Sequence, residues 1–131
     1  MTREPPERET EAADWREARR RRHRRGRRSE WLAALLLMAK GYRILARRHR
    51  TPLGEIDIVA RRGRRLAIVE VKARRTFEEC EAAVPRRSAE RIRRATDLWL
   101  ARNPAHQDCD IGFDLVFVVP RRLPRHIENG L

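Results

Sequence analysis

Residues 54–74 read GEIDIVARRGRRLAIVEVKAR. Two short apolar runs, Glu55 to Ala60 and Leu66 to Ala73, flank the basic turn RRGR. The alternating pattern and the glycine between the runs predict a β-hairpin. Yet Glu55, Asp57, Glu70 and Lys72 lie inside the predicted strands. Charges within a sheet are costly unless something compensates them. Strand side chains alternate, so Glu70 and Lys72 share a face with Ile68, and Glu55 and Asp57 share one with Val59. An even-length hairpin loop brings Asp57 and Glu70 to the same side, opposite or diagonal to each other. Two carboxylates then converge, with an ammonium two residues beyond one of them.

Two readings of that group stand side by side. In one, a divalent cation relieves the repulsion between Asp57 and Glu70. Few oxygen ligands, with water and phosphate completing the shell, suit magnesium or manganese. Lys72 would then position or deprotonate a water, or stabilise charge on phosphate. In the other, Lys72 forms a structural salt bridge with Glu70 or Asp57 on a solvated sheet face.

Outward from the hairpin, Ser29 is a candidate cap for a helix to about Lys40, with Glu30 in its first turn. Trp31, Leu32, Leu35, Leu36 and Ala39 supply its expected buried face, and Gly41 ends it. YRILAR follows as a first strand. Residues 76–85 read as a loop closed by Pro85. Residues 86–102 predict a helix with Ile92, Ala95, Leu98 and Trp99 on one face. IGFDLVFVV predicts a fourth strand, and HIEN a last short one. The order α-β-β-β-α-β predicts an α/β fold, a central mixed sheet flanked by helices.

The 131-residue chain carries a net charge of +13 with a sequence pI near 11.5. Such a surface attracts polyanions. Residues 1–28, with the basic run Arg19 to Arg28, read as a basic, disordered arm ahead of a domain at 29–131. Thirty of the cations are Arg and two are Lys, at positions 40 and 72. An ammonium at Lys72 is a compact point charge that a guanidinium does not replace. Cys80 and Cys109 form neither a CxxC motif nor a secreted disulfide framework, which points to a reducing cytoplasm. RRSEWLAALLLMAK imitates a twin-arginine signal. However, the run from Trp31 to Ala39 is too short to span a bilayer, and no membrane association is expected. His23, His49, His106 and His126 lack ligand spacing and read as surface or core-edge residues. Trp31 and Trp99 read as core, which disfavours a single-strand stacking platform.

GEIDIVA, AIVEVKAR, FDLVFV and the closing HIENGL, with GYRIL and VPRRSAERI, resemble the YraN family of small bacterial proteins. That family is placed in the restriction-endonuclease-like, PD-(D/E)XK superfamily and is similar to archaeal Holliday junction resolvases. The resemblance covers residues 26–131. It implies a restriction-endonuclease-like core and a metal-dependent endonuclease acting on DNA, including branched DNA, with Mg2+ or Mn2+. It implies that Asp57 and Glu70 bind the metal, that Lys72 is the superfamily lysine, and that Glu30 joins the site from the first helix. Glu55 matches the GEID glutamate. Asp114 matches the FD aspartate and reads as a partner for a nearby arginine. A homodimer is compatible with the resemblance to junction resolvases. Arg61, Arg62 and Arg64 of the hairpin, with Arg86 and Arg87 of the later helix, are the expected backbone contacts. The sequence departs from the family at Ser29, where glycine is usual, and at Arg87, where lysine is usual. A fold does not fix a function. The competing expectations are a non-catalytic nucleic-acid-binding or recruitment module and a basic scaffold associating through its arm.

Overall fold

The computed structural model describes residues 27–84 and 86–131, without the side chains of residues 86–88. The expectation of an arm at residues 1–28 lies outside the described residues except for Arg27 and Arg28, which belong to the first helix. Helix α1 spans residues 27–39 of the described chain. Strands β1 (Arg43–Thr51), β2 (Gly54–Arg62) and β3 (Arg65–Ala73) follow. Next come helices α2 (Phe77–Ala82) and α3 (Arg86–Arg102), a 3-10 turn at Pro104–His106, and strands β4 (Asp110–Val118) and β5 (Arg125–Ile127). The strands form one sheet in the order β1-β2-β3-β4-β5. All neighbours are antiparallel except β3 and β4, which run parallel. The fold is α/β with a mixed sheet between helices.

Helix α1 packs on one face. Its Ala33, Ala34 and Leu37 meet Ile58, Ala60, Ala67, Val69, Val116 and Val118. On the other face, Ile92, Ala95 and Trp99 of α3 cover Ile56, Val59, Leu66 and Ile68. Cys80 of α2 completes that layer against Leu115, Phe117 and Val119. Truncating a residue as central as Leu37 to Ala costs about 2–5 kcal/mol.

Three expectations are corrected here. First, Ser29 does not cap α1. The chain is already helical at Arg27, and Ser29 is buried within the helix. Second, the face of α1 that meets the sheet is not the one expected. Trp31, Leu32, Leu35 and Met38 are exposed, whereas Ala33 and Ala34 are buried. Residues 31–39 are apolar all round, so periodicity cannot choose a face. The two alanines face Ala60 and Ala67, and the small side chains let helix and sheet approach closely. Third, residues 76–85 are not all loop. Thr76 accepts a hydrogen bond from the Glu79 amide at 3.1 Å and caps α2, with Glu78 and Glu79 in the first turn.

The end of α1 follows the expected signal. Gly41 has φ +92. The Gly41 amide donates to the Met38 carbonyl at 3.0 Å, and the Tyr42 amide donates to the Leu37 carbonyl at 2.9 Å. This is the paired closure of a Schellman motif, with Tyr42 packed in the same cluster as Leu37.

Candidate metal and phosphate site

The β2–β3 register pairs Arg62 with Arg65 and continues through Ile58 and Val69. One step further it would set Asp57 against Glu70, as the hairpin parity predicts. The ladder stops there. The Val71 amide donates to Asp57 Oδ2 at 2.8 Å, so a side chain takes the bond a backbone carbonyl would accept. On the other side of β2, the pairing with β1 passes from Arg47–Ile58 to His49–Ile56 and skips Arg48 and Asp57. Arg48 has φ 50, the left-handed region unusual for a non-glycine residue. The sheet is thus interrupted along the row Arg48, Asp57, Glu70. The break also explains a reversal of side-chain direction: Ile56 packs with α3, yet Ile58, two residues on, packs with α1.

Asp57 is largely enclosed, and its carboxyl is pushed up to about 7. Burial is the largest cause. The Val71 amide opposes it, and the charges of Glu30, Glu70 and Glu55 add to it. Those interactions place three further carboxylates in the field of Asp57, one of them from α1. Glu70 binds Lys72 through Oε1, with Nζ at 2.9 Å, and both side chains are mostly buried. Its other oxygen, Oε2, is buried and has no hydrogen-bond partner among the described residues. An orphaned carboxylate oxygen is costly to bury. A cation beside Asp57 and Glu70 would satisfy it and offset the burial and the like charge that together raise the Asp57 carboxyl. The pair therefore fits a hard divalent ion that keeps several waters. Among the described residues, no group of three or more His, Cys, Asp or Glu could hold a metal ion by itself.

Glu30 is ion-paired to Arg48 Nε. Glu55 is exposed and faces Arg50 at 3.9 Å. Cys80 lies beneath Lys72, its thiol directed at the Lys72 carbonyl at 3.5 Å, and burial pushes that thiol up. Cys80 and Cys109 are both free.

The hairpin arginines lie at the far end of β2 and β3, about 13 to 17 Å along the strand from Asp57 at the usual rise. Two of them have structural partners. Arg61 binds His106 Nδ1 at 2.8 Å and the Gly63 carbonyl. Arg62 donates to the Lys40 carbonyl at 3.1 Å and lies over the Tyr42 ring. Arg64 is exposed. The side chains of Arg86 and Arg87 lie outside the described residues. Their helix starts at the acidic end, because a Cβ on Gly54 would touch the Arg91 backbone at 3.4 Å.

A second polar cluster joins β4 to the chain's last residues. Asp114 is fully buried. Arg65 grips it with both guanidinium nitrogens at 2.6 and 2.8 Å, His126 Nε2 binds it at 2.8 Å, and the Asn129 amide donates to it at 2.9 Å. Burial alone would raise its carboxyl, but the bonds from Arg65, His126 and Asn129 hold it well below the usual carboxylate range. Arg65 also donates to the Tyr42 hydroxyl. Lys40 Nζ sits 2.5 Å from His126 Nδ1. Asp114 thus has the arginine partner expected of it. His126 takes the core-edge place of the two expected for it: the residue is half-buried and its side chain is 2% exposed. Nothing in its local sequence announces this, since its partners are Asp114 on β4 and Lys40 in the turn after α1.

The model of the uncharacterised protein family UPF0102 matches residues 29–118. A UPF0102 protein of Chelativorans sp. (strain BNC1) is 55% identical over 89% of this chain and 94% of its own length. One of Mesorhizobium japonicum is 53% identical over 86% of this chain and 90% of its own length. One of Nitrobacter winogradskyi is 54% identical over 76% of this chain and 84% of its own length.

Proposed function

This chain belongs to the uncharacterised protein family UPF0102, and from that premise and the geometry of the acid pair we propose a metal-dependent endonuclease on a restriction-endonuclease-like core. Its substrate would be DNA, including branched DNA. The observation that carries the reading is the buried Oε2 of Glu70, without a partner among the described residues, beside a carboxyl that burial, with like charge adding to it, pushes up to about 7. Asp57 and Glu70 would hold Mg2+ or Mn2+. A bound ion would polarise a phosphodiester and make water a better nucleophile. Lys72, anchored by Glu70 Oε1, offers an ammonium for the attacking water or the phosphate. Glu30 reaches the same field from α1, and its ion pair with Arg48 fixes the strand where the sheet is interrupted. The strongly basic chain supplies sequence-independent attraction to the phosphate backbone.

One observation favours a second reading, a binding or recruitment module on the same fold. Lys72 already neutralises Glu70, as a purely structural ion pair would, and no third acidic or imidazole ligand completes a metal cage among the described residues. Labelled duplex, single-stranded, flapped and four-way-junction DNA, incubated with Mg2+, Mn2+ or chelator, separates the two readings. Cutting that needs the ion and disappears in Glu70→Gln supports the enzyme. Equal, salt-sensitive binding by both proteins with no cutting removes it.

A further inference from the structure

Trp31, expected in the core, is 52% exposed. It lines a cavity of about 210 Å³ together with Arg27, Glu30, Arg47 and Arg48. The Arg47 guanidinium lies over the indole at 4.1 Å from the ring centroid. We propose that this cavity is a subsite for an unpaired nucleotide, its base stacking on the Trp31–Arg47 pair and its phosphate held by Arg27 and Arg47. The proposal rests on the nuclease reading and narrows its substrate to DNA with an unpaired strand beside the cut.

Three observations and one general rule carry it. The cavity lies on the strand beside the acid pair, because Arg48, one of its walls, falls opposite Asp57 in the row where the β1–β2 pairing is skipped. Its charge suits a phosphate: Arg48 is neutralised by Glu30, whereas Arg27 and Arg47 have no acidic partner among the described residues. The indole is held ready, since a stacked guanidinium limits its rotation at little cost. An indole paired with a planar cation is also the surface on which unstacked bases rest, each contact contributing about a tenfold gain or more. Bases inside a duplex are stacked on their neighbours and cannot reach such a ring. The subsite therefore selects single-stranded segments, flaps and the open strands of a branch point over continuous duplex.

The exposed side chains Leu32, Leu35 and Met38 continue along α1 from Trp31. A lipid surface would engage that whole stripe and a second copy of the chain would bury it. A nucleotide needs only the walled end.

The test uses the full chain in chelator, so that nothing is cut, and a labelled oligothymidylate against a duplex of the same length. Trp31→Ala is expected to weaken single-strand binding about tenfold and leave duplex binding unchanged. Trp31→Phe is expected to recover most of the loss. Equal weakening on both nucleic acids, or no change on either, overturns the subsite. So does a tryptophan emission shift with phosphatidylglycerol vesicles, or with protein concentration, when the oligonucleotide causes none. Because the readout is binding without metal, failure to find any cleavage would overturn the nuclease reading and leave this result standing.

Discussion

Asp57 accepts the Val71 amide of the neighbouring strand at 2.8 Å, and a side chain thereby closes a ladder position that belongs to a backbone carbonyl. One residue both interrupts the sheet and remains part of it. Beside that interruption the charges of Glu70 and Glu30 act on the same carboxyl.

The first prediction concerns pH. The Asp57 carboxyl is raised from 3.8 to about 7, so between those values the folded chain holds a proton that the unfolded chain has lost. Stability without a divalent ion should therefore fall as pH rises through this window and level off above it. At pH 8 the cost reaches roughly 4 kcal/mol at most. Asp57→Asn, which keeps an acceptor for Val71, should flatten the profile and be the more stable protein at pH 8. Urea unfolding in chelator from pH 5 to 8 checks this; parallel profiles for the two proteins would refute it.

The second concerns Lys72. Replacing it with Met should leave binding of the divalent ion intact, because the proposed metal ligands are Asp57 and Glu70. Any cleavage should fall by about 10²-fold or more, the usual contribution of a positioned proton donor or acceptor. Calorimetric titration with Mn2+ beside a single-turnover assay separates the two effects. Loss of ion binding in this variant would mean that Lys72 organises the acids and nothing more.

A third prediction has the opposite pH sign. Asp114 is held below its ordinary value, so its stabilisation is complete above about pH 4 and is lost as pH falls through the folded value. Asp114→Ala strands the Arg65 guanidinium and should cost about 3–5 kcal/mol at neutral pH. Thermal melts of the variant from pH 7 to 3 should also show a shallower acid limb than the parent.

The fourth turns on Gly112. A Cβ there would collide with the Arg65 guanidinium that grips Asp114. Gly112→Ala should destabilise by about 1–3 kcal/mol although the backbone needs no special conformation. Melting temperature reads the change, and an unaffected value would mean that Arg65 has other room.

The hairpin was legible because alternation and its turn are local signals, and parity alone placed Glu70 and Lys72 on one face. The break at Arg48 was not legible: a left-handed arginine carries no mark of its own, and the residue it falls opposite, Asp57, lies on the next strand. Helix α2 had a readable signal in Thr76 followed three residues later by Glu79. That glutamate reaches back to the Arg75 amide, close to a capping box. The buried side of α1 was undecidable from residues that are apolar all round, and the misplacement of Trp31 followed from that. His126 could be placed only through Asp114 and Lys40, each on another element.

The arginine-rich composition leaves two lysines in the chain, and each has an engaged ammonium: Lys72 on Glu70 and Lys40 on His126. Acylating reagents, which a free amine attacks, should modify both slowly while these contacts hold. Apart from the α-amino group, the protein thus carries two built-in chemical clocks, one timing the acid pair and the other timing the cluster around Asp114.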